Sequence, residues 1–373
     1  MKNLLSLSLM ICCVINIFAA DLSPDQPVRG KWNFRSQRIW RCDEAAGIPF
    51  GDIQRILIPD GKHVVIQERR HYRIYVFRAH DGKLLQAFGK RGEGPGEIRR
   101  MQGVMAHPDG LVVPERGRLH FFSLEGKFLR SRVIPAEIEP RFFIDRDRFV
   151  SAPSLPRDEG RGDQAIEVFS LLSGESRRVT TYKAFAPGLA SSNSGGRVMT
   201  VGIVIGGLTP LMQVHYRDGV LYFGKNDIYR INGVDLDGNA KVTFGITGRQ
   251  KAPVSMGFKR SLFKDLEGDI PPQMLERILK GLPAECTAWT RMTSDSFGRI
   301  FVLGADLERS HAVGVDLFSP GGEYLYHGDF SVSPGESIQG MDLRENLLVM
   351  AVQDREGDLR VEAFTISTPP ENR

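Results

Sequence analysis

The chain has 373 residues, of which 41% are hydrophobic and 25% charged, the composition of a soluble globular protein long enough to bury a large core. Its formal charge of +4 sets 49 Lys and Arg against 45 Asp and Glu, interleaved along the chain, and the lack of a basic stripe argues against nucleic acid as a partner. Forty glycines without long helical periodicity point to many tight turns and to β architecture.

Lys2, the apolar stretch from Leu4 to Phe18 and the small pair Ala19-Ala20 read as a secretory signal peptide over residues 1–20. Ser6, Ser8 and Asn16 interrupt that stretch, whereas a membrane span needs about 20 apolar residues. No span is expected, and the destination is periplasmic or extracellular. Lipid attachment at Cys12 is disfavoured because the bulky Ile11 precedes it. Removing the signal leaves Cys42 and Cys286, which either pair in an oxidising compartment or stay as separate buried thiols. Residues 21–31 form a linker.

From about residue 50 short Val-, Ile-, Leu-, Phe- and Tyr-rich runs alternate with turn sequences in two interleaved series. The first runs Pro59-Asp60-Gly61, Pro108-Asp109-Gly110, Asp145-Arg146-Asp147, Asp218-Gly219, Ser296-Phe297-Gly298 and Arg344-Glu345-Asn346. The second runs Asp81-Gly82, Glu125-Gly126, Ser173-Gly174, Asp237-Gly238, Gly321-Gly322 and Glu356-Gly357. Glycine accepts the positive φ that two-residue hairpins need. Six alternating pairs mean six copies. Four strands in a repeat of about 40 to 50 residues make a propeller blade. The expected fold is therefore all-β, a six-bladed β-propeller over residues 32–368 with a small helical insertion at 254–283, followed by a tail at 369–373.

Two segments carry a resemblance. His63 to Glu68 followed by Tyr72-Arg73-Ile74-Tyr75-Val76-Phe77, and the connection Phe88-Gly89-Lys90-Arg91-Gly92-Glu93-Gly94-Pro95-Gly96-Glu97-Ile98 leading to Gly103-Val104, resemble the NHL-like six-bladed propellers of exported bacterial proteins. Phe244-Gly245 keeps a shadow of that connection. The resemblance is good over Gly51 to Phe122 and elsewhere is a strand rhythm. The sixth copy, Met341 to Ser367, has no outer strand of its own, and Trp32 to Cys42 is a strand without a blade; the second is expected to supply the first and leave no open sheet edge.

Two blade-to-blade connections are long, 183–211 and 246–287, and both should lie on the face that also carries the turns between second and third strands. In the first, the run from Ser191 to Gly196 reads as a flexible loop, with Val198 to Ile205 either a strand or a ligand contact. The second reads as two helices. Phe258, Leu262, Phe263 and Leu266 share one stripe that Gly268 stops, then Asp269 caps a helix striped by Met274, Leu275, Ile278, Leu279 and Leu282.

Binding residues are sought on that same face. Asp52, Gln54, Gln102, Gln213, Arg291 and Gln339 should stand nearest the channel mouth, with His215 close by. Glu68, Arg69, Glu115, Arg116, Lys225, Asn226 and Asp306 should form the rim. An amide-rich mouth suits a polar ligand. The leading reading is a monomeric binding scaffold that takes a polar small ligand or protein partner without turnover. The alternative is a lyase- or lactonase-type propeller enzyme using Asp52 with His215 or Arg291. Related propellers of that type gather carboxylates around calcium or magnesium, whereas only Asp52 and Asp342 offer carboxylates here, so a Ca or Mg site is open but not indicated and no cofactor is otherwise expected. Sequences typical of zinc proteases, serine hydrolases and phosphate-binding loops are absent.

Overall fold

The computed structural model describes residues 22–153, 163–183, 190–194, 197–201, 205–264 and 271–369; the signal-like segment over 1–20 lies outside them. The N-terminal part contributes β1 (Ser23–Pro24), β2 (Ser36–Cys42) and a small hairpin of β3 (Glu44–Ala45) and β4 (Ile48–Pro49). The first blade is β5 (Ile53–Leu57), β6 (His63–Glu68), β7 (Arg73–Arg78) and β8 (Leu84–Phe88). The second is β9 (Met105–His107), β10 (Gly110–Glu115), β11 (Arg118–Phe122) and β12 (Phe128–Val133). The third is β13 (Pro140–Phe143), β14 (Arg148–Ser151), β15 (Asp163–Ser170) and β16 (Ser176–Lys183), and a hairpin of β17 (Ala190–Ser194) and β18 (Arg197–Val201) follows. The fourth is β19 (Met212–Arg217), β20 (Val220–Lys225), β21 (Arg230–Val234) and β22 (Ala240–Thr247), leading to α1 (Met256–Ser261) and α2 (Pro272–Gly281). The fifth is β23 (Arg291–Ser294), β24 (Ile300–Leu303), β25 (Ala312–Phe318) and β26 (Tyr324–Ser331). The sixth is β27 (Ser337–Arg344), β28 (Leu347–Gln353) and β29 (Leu359–Ile366).

Each blade is an antiparallel meander. The sixth takes its outer strand from the other end of the chain, since β2 pairs antiparallel with β29 from Ser36↔Ile366 to Cys42↔Val361. The residues before β2 lie along the outside of the two preceding blades. β1 runs parallel to β22, and Lys31 bridges to His327 on β26.

Strand composition follows from what each strand touches. The middle strands are sandwiched between neighbouring blades, so β6, β7 and β28 read as continuous apolar runs, with Val64, Val65, Ile66, Ile74, Val349 and Val352 fully enclosed. Six apolar clusters result, one at each blade interface, and the last joins Trp40, Ile56, Tyr75 and Phe77 to Val349, Val361 and Ala363 across the seam between first and sixth blades. Turn chemistry is equally local: Asp218 and Gly219 have φ of 49° and 84°, the all-positive backbone of the tightest hairpin turn.

The Phe-Gly pairs of the sequence have a steric cause. At Gly89 a Cβ would lie 2.8 Å from the Tyr72 carbonyl oxygen, and at Gly245 it would lie 2.0 Å from that of Tyr229, because the outer strand passes directly beneath the turn between second and third strands. In the following connection Glu97 folds back to accept from Lys90 Nζ at 2.8 Å and from the Gly94 amide at 3.0 Å, which explains the run of glycines as a packed junction.

Three sequence expectations change. Glu356-Gly357 joins second and third strands of the sixth blade, unlike the rest of its series, because the fourth strand is β2 and needs no such turn. The stretch read as a flexible loop is a backbone-paired hairpin from Ala190↔Val201 to Ser194↔Arg197. Helix α1 ends at Ser261, so Leu262 leaves the stripe and is exposed, and α2 starts on Pro271 and Pro272; Leu266, Gly268 and Asp269 lie outside the described residues. Phe263, Met274, Ile278 and Leu279 form the small core of this cap, and Lys259 Nζ ties it by donating to the Leu282 carbonyl at 2.9 Å. Cys286 is buried beside Leu208 and Val254, Cys42 sits on β2, and both are free thiols.

Candidate ligand site in the axial channel

The innermost strands face a cavity of about 820 Å³, lined by β5, β13, β19, β23 and β27 with the turn between β24 and β25. Each inner strand enters from the face carrying the blade-to-blade connections, so its first residues form the mouth. Three of these strands carry a β-bulge there. Pairing skips Gln54 between Ile53↔Glu68 and Arg55↔Gln67, skips Arg141 between Pro140↔Ser151 and Phe142↔Val150, and skips Gln339 between Ile338↔Val352 and Gly340↔Ala351. A bulge adds twist and re-aims a side chain. In β5 it leaves the consecutive residues Gln54 and Arg55 both exposed, where a flat strand would send one into the blade.

From the start of β23 the Arg291 side chain reaches late residues of β27, donating to Asp342 Oδ1 at 2.6 Å and to the Met341 carbonyl at 2.7 Å. Asp342 also accepts from the Leu343 amide at 3.1 Å and, through Oδ2, from the Ile58 amide at 2.8 Å. One buried carboxylate thereby fixes the fifth, sixth and first blades to one another. His215 lies 2.9 Å from Ser294 Oγ through Nε2. Enclosure in the channel and then the positive charges of Arg291 and Arg217 lower its pKa from 6.5 to about 4, which leaves the ring neutral at neutral pH.

That depression has a sign. The unfolded chain takes up the proton before the folded chain does, so stability should fall as the pH drops from about 6.5 to about 4. We expect the parent to lose about 1–3 kcal/mol more over this window than His215→Gln. Urea denaturation at the two pH limits checks it, and parallel losses in both chains would remove His215 from the account.

The other sequence-selected residues divide. Gln54, Gln213, His215, Arg291 and Gln339 line the cavity together; Gln102 and Asp52 do not. Gln102 precedes β9 and is exposed. Asp52 lies on the rim, paired with Arg69 at 2.7 Å. Gln54 accepts from Gln67 Nε2 at 2.6 Å, and Gln339 donates to Ser337 and Gln353. Of the rim set, Glu68, Glu115 and Asn226 are buried. Glu68 accepts from the amides of Asp52, Arg70 and His71, Glu115 from that of Arg100 and Asn226 from that of Leu211. Each of the three thus fastens the connection entering its own blade. Arg69, Arg116 and Asp306 remain exposed, and Lys225 is half-buried against Asp227 at 3.0 Å.

Sequence reasoning missed Arg55 and Arg141, which bring guanidinium groups into a mouth expected to be mostly amide. Among the described residues no three His, Cys, Asp or Glu side chains gather closely enough to hold a metal ion. No helix among them is long and apolar enough to cross a membrane.

A family model, DUF5128, 6-bladed beta-propeller, matches residues 46–149, the first two blades and the start of the third. The chain is a six-bladed β-propeller. Among solved structures, a member of the DUF4221 family from Bacteroides vulgatus is similar to this propeller with a TM-score of 0.57 and 12% identity, covering 90% of this chain and 99% of that one. A Bacteroides fragilis protein named as exported has a TM-score of 0.55 and 9% identity, covering 91% of this chain and 99% of that one. At these identities the likeness is one of fold. No curated protein matches the chain.

Proposed function

We propose that this protein is an exported, NHL-like propeller that binds a polar small ligand in its axial channel and does not turn it over. The supporting observation is the convergence on one cavity of polar side chains from five inner strands, three of them aimed by bulges. About 820 Å³ falls within the range of small-molecule sites, which hold a few oriented polar groups. Export is supported by the signal-like N-terminus and by the fold-level similarity to a protein named as exported. The cap of α1 and α2 stands on the same face, where the Ser255 backbone amide donates to the Glu308 carboxylate and Leu307 packs beside Cys286.

The test is ligand-observed NMR with the purified chain against a panel of neutral sugars, amides, short peptides and organic acids. Gly340 lines the cavity and a Cβ built there meets nothing within 4 Å, so Gly340→Trp should obstruct the channel without a clash at the backbone. The expected result is at least one panel member whose signal is lost in Gly340→Trp while the melting temperature holds within a few degrees. A panel without binders, or binding indifferent to the obstruction, overturns the proposal.

A further inference from the structure

The channel gathers more positive charge than it neutralises. Its lining includes five arginines, Arg55, Arg141, Arg217, Arg291 and Arg344, against the three carboxylates Asp306, Asp342 and Glu345. Most of these arginines are engaged by the protein. Arg217 donates to Asp218 and to the Ser296 carbonyl, Arg344 to the carbonyls of Ile58 and Pro59, Arg291 to Asp342 and Met341, and Arg141 to the Ala152 carbonyl at 2.6 Å.

Arg55 differs. Among the described residues its guanidinium makes no hydrogen bond and no ion pair, although the bulge at Gln54 has turned it into the channel. The nearby carboxylate cannot serve it without loss elsewhere, because Asp342 already accepts from Arg291 and the Leu343 amide on one oxygen and from the Ile58 amide on the other. The side chain reaches solvent inside the cavity while the walls surround it. That enclosure, then the like charge of Arg291 and more weakly of Arg141, lower its pKa from 12.5 to about 10 against the pull of Asp342. A guanidinium with five N–H donors, no protein acceptor and solvent in front of it is open to an oxyanion that enters the cavity.

We infer that the channel binds a small organic anion whose carboxylate or phosphoryl group is received by the Arg55 guanidinium, with Gln54 next to it on β5 and the Gln213 amide on the fourth blade across the cavity. This rests on the reading of the channel as a ligand site. A planar guanidinium matches either oxyanion in a two-pronged, charge-assisted hydrogen bond. His215, neutral in place, adds no competing charge and offers hydrogen-bonding capacity only.

Isothermal titration at low salt tests this with succinate and inorganic phosphate as probes and succinamide as the uncharged counterpart, on the parent chain, Arg55→Gln and Arg55→Lys. At least one anion should bind, about tenfold or more weakly to Arg55→Gln, with partial recovery in Arg55→Lys. Raising the salt should weaken it, and succinamide should bind about tenfold or more weakly than succinate. Succinate without phosphate marks a carboxylic acid as the ligand class; phosphate without succinate marks a phosphoryl compound. The melting temperature of Arg55→Gln without ligand should equal or exceed that of the parent, since the substitution removes no hydrogen bond and relieves repulsion. Neither anion binding, succinamide matching succinate, or Arg55→Gln matching the parent each overturns the anion. A neutral ligand displaced by Gly340→Trp in such a case leaves the channel reading standing, whereas a panel with no binder removes both.

Discussion

Replacing Asp316 with alanine is expected to cost about 3–5 kcal/mol, the range seen when one member of a buried ionic cluster is removed and its partners are stranded. Asp316 is 1% exposed on β25. Its two oxygens accept from the hydroxyls of Tyr229 and Tyr324 at 2.5 and 2.6 Å, from both terminal nitrogens of Arg249 at 2.9 and 3.1 Å, and lie 2.8 Å from His327 Nδ1. Arg249 also reaches Asp25 near the N-terminus, at 2.8 Å. The cluster therefore unites the fourth and fifth blades, the start of the long connection and the N-terminal segment. Burial opposes ionisation of Asp316, but the His327 contact and Arg249 hold its pKa below the ordinary 3.8. Its contribution is thus complete above pH 3.8 and is lost as the pH falls further through the depressed folded value. Chemical denaturation at neutral pH measures the effect; a loss under about 1 kcal/mol would place the cluster among ion pairs that merely break even. Asp316→Asn, which keeps one acceptor, should fall between parent and alanine.

Trp40→Ala should cost about 3–5 kcal/mol, the usual range for a large aromatic removed from a core. Trp40 is the largest side chain that β2 adds to the seam between first and sixth blades. Its indole donates to the Ala79 carbonyl at 2.8 Å and its ring stacks on Phe77 with centroids 6.1 Å apart. The loss should be visible locally as well as globally. Amides of β29 that donate to β2 should exchange with deuterium faster than those of β6, and equal acceleration across all blades would mean that the seam has no weakness of its own.

The blade count was legible because its evidence is local. Asp-Gly and Gly-Gly turns follow from the backbone angles of single residues, and apolar runs such as Val64 to Ile66 from the double burial of middle strands. What depends on pairing between distant residues was not legible. Nothing within Asp52 to Leu57 announces that the ladder skips Gln54, and without the bulge Arg55 reads as one more solvated arginine. The skip at Arg141, after Pro140, is equally invisible in the local sequence. Glu68, Glu115 and Asn226 attracted attention as polar residues at turns, yet whether a carboxylate meets solvent or three backbone amides depends on how the incoming connection folds over it. Asp316 sits in the apolar stretch Val315 to Phe318, and Tyr229 and Arg249 stand 87 and 67 residues before it.

The path of residues 23–42 has a consequence for the order of events during synthesis. Ser23 and Pro24 pair with Ile246 and Thr247, Lys31 with His327, and Ser36 to Cys42 with residues as late as Ile366. The first part of this stretch to be made must therefore wait for more than two hundred residues before its partners exist, and the last part waits for nearly the whole chain. Early blades can form as hairpins while the chain emerges, but the clasp can be fastened only at the end. Such late, long-range pairing slows folding and leaves β2 unpartnered in the meantime. The same arrangement makes the finished ring fray-resistant, since β2 can leave only by breaking its ladder with β29, which β28 holds on the other side.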